Sequence, residues 1–271
     1  MLPGSERIQN RKDRRMIRKI FLLLPLFLGI WFAGCAGKDE AAYFLAEKVA
    51  VSTLPATDMQ LQKRGFVIGY SEKYRQALWV EYVLSGESLA GEKVIRDNVF
   101  RTDPEVRNDP VTPDEYFRSG YDRGHLAPAA DMSYSHGSMH DSFFMSNISP
   151  QVPGCNRGIW LKVEKLVRSW AEKEGMLMVI TGPVFPEKEP RRMGRKALPV
   201  PEAFYKVVLD LTPPVKMIAL IVPNQDVGRR QAADFFCTVD EVEKRSGLDF
   251  FSSLDDDEEK RLESSADFGA W

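Results

Sequence analysis

Four consecutive residues, Asp122-Arg123-Gly124-His125, set an acid, a guanidinium and an imidazole side by side, with a glycine that permits close backbone approach. That combination suits phosphodiester hydrolysis. An imidazole takes a proton from water near neutral pH. A guanidinium grips phosphate oxygens in pairs, and a metal ion neutralises the charge that builds on phosphorus. Asp-Arg pairs also serve purely structural ends, so the cluster gains chemical meaning only from what stands around it.

The strongest neighbouring signal is a helix predicted over 156–173. Its apolar residues Ile159, Trp160, Val163, Leu166, Val167 and Trp170 fall one, three or four apart and form one stripe. At 100° per residue Asn156 projects within that stripe and Glu164 lies on its border. Interior amides and carboxylates need partners. Two readings follow: a satisfied core amide with a border ion pair, or a metal site at the helix start supported by a carboxylate two turns on. Eight residues at about 1.5 Å rise separate the two backbones by roughly 12 Å, so joint direct ligation requires an irregular helix start.

Around this pair the chain alternates as strands do at Phe66–Tyr70 and Leu78–Leu84, which predicts a hairpin. Thr112-Pro113-Asp114-Glu115 is a capping box that opens a short helix closed by Gly120, and Thr238–Glu241 opens another closed by Gly247. Buried strands are expected at Met176–Thr181, Phe204–Leu209 and Met217–Val222. With no regular βα alternation, the expected class is α/β of the α+β type, a mixed sheet flanked by helices. His136 and His140 are spaced for one helix face, as in some zinc sites. However, Gly137-Ser138 between them reads as a loop, and no matching carboxylate or cysteine completes a set.

The N-terminus addresses the chain elsewhere. Residues 7–19 hold seven basic side chains, and the apolar run Ile20–Ala33 that follows is 14 residues long, short of the roughly 20 that span a bilayer. Phe32-Ala33-Gly34-Cys35 resembles a bacterial lipobox, with Phe where Leu is usual. The expectation is export, cleavage before Cys35, and a membrane anchor through its acyl chains; an ordinary signal peptide or a short anchor is the alternative. Loss of residues 1–34, with seven basic and two acidic side chains, leaves 30 basic against 37 acidic, a net charge of −7. Nucleic acid would then need a local basic cleft, because the global charge opposes it. The assigned layout is a signal over 1–34, a tether over 35–60, the main domain over 61–252 and an acidic, disordered tail over 253–271. With Cys35 lipidated, Cys155 and Cys237 are left as a pair for which an oxidising compartment permits a disulfide.

Read at full length, the chain resembles the DNA/RNA non-specific endonucleases, the ββα-metal (His-Me finger) family. The matches fall in order: Tyr121–Met132, Phe143–Gln151, Asn156 with Trp160 and Glu164, Thr181–Phe185, Phe204-Tyr205-Lys206 and Val222-Pro223-Asn224. The resemblance covers about residues 65–250 and implies a mainly antiparallel sheet with a ββα-metal motif. It implies His125 as general base, Asn156 as the protein ligand of one Mg²⁺ (with Mn²⁺ as a substitute) and Glu164 acting through metal-bound water. Asn147 would hold and polarise the site, Arg123 would contact phosphate, and Asp122 would support the loop. A further arginine lies upstream in the family, near an aromatic-basic-Thr-Asp stretch. Phe100–Asp103 supplies that stretch, and Arg96 is the nearest candidate, at an inexact spacing. DNA and RNA are the implied substrates, 5′-phosphate and 3′-hydroxyl ends the implied products, and a homodimer the implied assembly. Hydrolysis of another phosphodiester and non-catalytic binding on the same fold are the rival readings.

Overall fold

The computed structural model describes residues 57–271, so the signal, the lipobox and most of the tether lie outside the described residues. Seven strands form one sheet: β1 (Met59–Lys63), β2 (Phe66–Ser71), β3 (Gln76–Ser85), β6 (Met176–Val184), β9 (Ala203–Asp210), β10 (Lys216–Pro223) and β11 (Phe236–Cys237), in the spatial order β1-β2-β3-β6-β9-β10-β11. Every pairing is antiparallel. Two short ladders stand apart: β4 (Asp122–His125) with β5 (Ile148–Gln151), and β7 (Arg192–Met193) with β8 (Leu198–Pro199).

Central strands β6 and β9 are buried at every position. Both faces are covered, which is why they read as continuous apolar runs and not as alternation. One face packs Tyr82, Leu84, Leu177, Val179, Phe204 and Val208 against Trp160, Val163 and Val167. Those three come from a helical segment that begins as a π-turn at Cys155–Trp160 and continues as a regular α-helix over Leu161–Glu174. The helix predicted over 156–173 is present, with an irregular first turn.

The opposite face meets the C-terminal part of the chain. Met178, Ile180, Tyr205, Val207 and Leu209 pack with Val239, Val242, Phe250, Phe251, Leu254 and Leu262. The remaining helices are α1 (Gly86–Ala90) and α2 (His136–Ser142); α3 is the Leu161–Glu174 helix, followed by α4 (Val239–Ser246) and α5 (Asp256–Glu263). Helix α4 matches its capping box: Thr238 accepts from the Glu241 amide, and Gly247 closes it at φ 72°.

Two expectations are corrected. Residues 253–271 are not a disordered tail. They form α5, which buries Leu262 and Glu263, and the terminal Trp271 ring lies 4.8 Å from Trp170. The acidic side chains Asp255–Glu258 do remain in solvent, while the backbone from Asp256 is helical. The segment around Gly137-Ser138 is helical, because the Ser135 hydroxyl accepts from the Ser138 amide and caps α2. On that helix His136 is exposed, while His140 bonds Asp141 and packs edge-on to Phe144. Cys155 and Cys237 are free thiols on opposite sheet faces, Cys155 buried in one core and Cys237 packed, partly buried, against the other. Among the described residues no helix is long and apolar enough to cross a membrane.

Candidate active site

The chemistry-bearing residues sit on a strand-strand-helix unit. Strand β4 carries Asp122 to His125; β5 pairs with it in the register Asp122–Gln151 to His125–Ile148, and the chain then runs directly into the π-turn bearing Asn156. Gly124 is required by close packing, since a Cβ there would stand 2.2 Å from the Gln151 side chain. Between the two strands lie 22 residues, 126–147, that must return the chain to the same place.

Asn147 secures that return. Its amide is fully buried: Oδ1 accepts from the Ala127 amide at 2.9 Å, and Nδ2 donates to the carbonyls of Ala127 (2.9 Å) and Ser142 (2.8 Å). Both of its N–H donors and its oxygen engage backbone, so it fixes the segment after His125. An Asn147→Ala variant strands buried backbone groups at Ala127. It is expected to lose about 3 kcal/mol of stability, read as a lower urea midpoint at unchanged slope.

His125 is 8 % exposed, and its ring lies 5.4 Å from Phe100 and 4.9 Å from Phe143. Nε2 is buried with no hydrogen-bond partner. Burial, joined by the positive charge of Arg96, pushes the imidazole down to about 3. It is therefore neutral, as a proton acceptor must be. Its ¹Hε1 resonance should stay fixed from pH 8 to 5. Added inorganic phosphate, by neutralising Arg96, should raise the titration midpoint; a midpoint near the ordinary 6.5 without phosphate would contradict the burial argument.

Arg96 itself is exposed. It bonds Asn98, and its guanidinium lies 5.1 Å from the Phe143 ring. Its charge acts on both His125 and Glu164, so the structure brings these three within electrostatic reach of one another. The Phe100–Asp103 stretch is locked beside them: Arg101 N–H donates to Phe143 and Met145 N–H to Arg101, while Asp103 is buried on Lys63 and Ser146. Arg123 leaves β4 over the Phe100 ring at 5.0 Å, beside Tyr116 at 5.9 Å. Its Nη2 donates to the Pro113 carbonyl, and its buried Nε has no partner. The capping box at Thr112–Glu115, realised as a 3₁₀ turn over Pro113–Tyr116, is thus what presents that carbonyl.

Asp122 projects toward the helix start instead. Its Oδ2 accepts from Asn156 Nδ2 at 2.9 Å, and both of its oxygens are held by Arg157, at 2.6 and 2.8 Å. The amide nitrogen of Asn156 is thereby committed, which turns its carbonyl oxygen away from Asp122 and leaves it as a donor to a ligand. Further along α3, burial and the nearby charge of Asp131 push Glu164 up to about 7, opposed by Lys206, Arg168 and Arg96. An amide oxygen and a carboxylate are hard donors that fit Mg²⁺, and a cation here would relieve the half-buried carboxylate.

Sequence reasoning missed the ground beneath Glu164. Asp131 accepts from Arg168 (2.6 Å) and from Tyr82 (2.8 Å). Lys206 is fully buried with its Nζ unbonded, 5.2 Å from the Trp160 ring and 5.8 Å from that of Tyr82. Burial lowers its ammonium to about 8. Two signals were present: Arg168 stands four residues after Glu164, and Lys206 is the one cation inside the apolar run Ala203–Leu209. Arg157, which clamps Asp122, carried no sequence signal of its own.

Comparison with known proteins finds nucleases. The chain is 31 % identical over 217 residues to a mitochondrial nuclease of Saccharomyces cerevisiae, covering 70 % of this chain and 64 % of that protein. It is 36 % identical over 166 residues to the mitochondrial endonuclease G of Homo sapiens, covering 58 % and 56 %. The chain thus spans somewhat under two thirds of the length of these relatives. A crystal structure of an EndoG/EndoGI complex superposes with a TM-score of 0.72 at 26 % identity, covering 82 % of this chain and 95 % of that one. Residues 47–257 match the DNA/RNA non-specific endonuclease family, and the chain belongs to that family.

Proposed function

We propose that the protein is a Mg²⁺-dependent endonuclease that hydrolyses phosphodiester bonds of both DNA and RNA. The observation that carries this reading is the buried, neutral His125 on the same short strand as Asp122, which orients Asn156. Asn156, aided by Glu164, would hold the ion, which supplies Lewis-acid neutralisation of charge on the phosphate. His125 accepts the proton of the attacking water. Arg123 and Arg96 bind the phosphate, and that binding cancels the charge that depresses His125, so the base strengthens once substrate is in place. Water attack with the 3′-oxygen as leaving group gives 5′-phosphate and 3′-hydroxyl ends. Weak sequence preference follows from contacts made to phosphate and not to base edges. The relatives' names, a mitochondrial nuclease and an endonuclease G, support the same class.

The N-terminal sequence supports export and a lipid anchor through Cys35, and hence cutting outside the cytoplasm. A homodimer is part of the same proposal. The deciding experiment incubates supercoiled plasmid, and in parallel a structured RNA, with purified protein and Mg²⁺ or Mn²⁺. Nicking and RNA fragmentation are expected, both stopped by EDTA. Absence of nicking across a range of divalent metals would leave the fold as a binding module.

A further inference from the structure

Away from the active site, α4 and α5 bring three carboxylates together. One oxygen each from Asp240, Glu243 and Glu263 lie within 4.8 Å of one another. Among the described residues neither these three nor the neighbouring Asp249 and Glu259 takes part in an ion pair with Lys, Arg or His. A second observation separates the group from an ordinary acidic surface. Glu263 is only 5 % exposed, and its Oε1 is buried with no hydrogen-bond partner. A buried carboxylate oxygen without a donor is costly, and like charges around it raise the cost. Burial and the surrounding carboxylates accordingly push Glu263 up to about 8 and Glu243 up to about 7.

We propose that Asp240, Glu243 and Glu263 form a second metal site, selective for a hard divalent cation of the Ca²⁺ class, that fastens the C-terminal helix to the domain. The donors are all oxygen, as such ions demand. Ca²⁺–O bonds of about 2.3–2.6 Å hold three ligand oxygens up to roughly 4.5 Å apart, so an ion of this size closes the group with little movement of its side chains. Mg²⁺, at about 2.0–2.1 Å, holds three oxygens no more than roughly 3.6 Å apart and so asks for a tighter group. Glu243 already accepts the Phe250 amide through Oε1 at 2.7 Å, which leaves Oε2 for the ion and fixes the loop that delivers Phe250 and Phe251 to the core. Exposed Asp240 gives the ion a route from solvent.

The test uses EDTA-stripped, dialysed full-length protein titrated calorimetrically with CaCl₂. An Asn156→Ala background removes the active-site ligand, so that binding there does not confuse the reading. One Ca²⁺ is expected to bind this background and to raise its Tm by several degrees at about 100 times Kd. MgCl₂ should bind at least about 10-fold more weakly. Glu263→Gln, close in shape, and Asp240→Asn, on the surface, should each abolish the Ca²⁺-dependent rise in Tm while leaving plasmid nicking by the otherwise wild-type protein unchanged. Two results would overturn the site: no Ca²⁺ binding in the Asn156→Ala background, or a Ca²⁺ response that survives Glu263→Gln. Either would mean that protons, not a cation, hold these carboxylates together. Plasmid nicking reads the active-site proposal separately, so the two can fail independently.

Discussion

Replacement of His125 by alanine is expected to lower the rate constant for plasmid nicking by about 100- to 10,000-fold, the range a positioned general base supplies. The ring is held between Phe100 and Phe143 and bears a buried nitrogen with no protein partner. A structural histidine in such a place would spend that nitrogen on a hydrogen bond. Truncation also opens a cavity between two phenylalanines, so stability should fall by about 2 kcal/mol, and activity must be measured well below the lowered Tm. The cavity provides its own control: imidazole added at millimolar concentration should restore part of the nicking by His125→Ala and none by an Asn156 variant. A His125→Ala protein that cuts as fast as wild type would end the proposed mechanism.

The parts of the site legible in the sequence were those with a local signature. Asp122–His125 could be read because four residue types stand in a row, and the helix because six apolar residues keep its period. The order of strands could not be read. Nothing local says that β6 pairs with β3 on one side and β9 on the other, since those partners lie nearly a hundred residues apart or follow two short strands. The π-turn at Cys155–Trp160 escaped for a different reason. A projection at 100° per residue assumes one helical period throughout, and one extra residue per hydrogen-bonded turn rotates Asn156 relative to the stripe. That rotation matters, because it takes Asn156 out of the apolar face and onto Asp122. The C-terminal helix escaped because its first turn is all acid. Its hold on the sheet comes from Phe250, Phe251, Leu254 and Leu262, too few and too widely spaced to outweigh five consecutive acidic residues in a reading by composition.

Asn156→Ala is expected to cut Mg²⁺-supported cleavage by at least about 100-fold and to weaken Mg²⁺ binding measured calorimetrically without substrate. The argument runs through Asp122. A free asparagine amide turns either end toward a cation, and only the oxygen end binds. Asp122 selects that orientation by accepting from Nδ2, and it is itself steadied by Arg157. Asp122→Asn removes the charge and lets the amide pair reverse, so Mg²⁺ affinity should fall by about 10- to 100-fold, as it does when partners behind a metal ligand are lost. Arg157→Ala should do far less, because the guanidinium is 72 % exposed and exposed ion pairs contribute little. The ranking Asn156 first, Asp122 second, Arg157 last is therefore the signature of an amide ligand held in orientation by a carboxylate. Equal losses from Asp122→Asn and Arg157→Ala would instead indicate that the pair merely braces the π-turn, and the assignment of the ion to Asn156 would then fail.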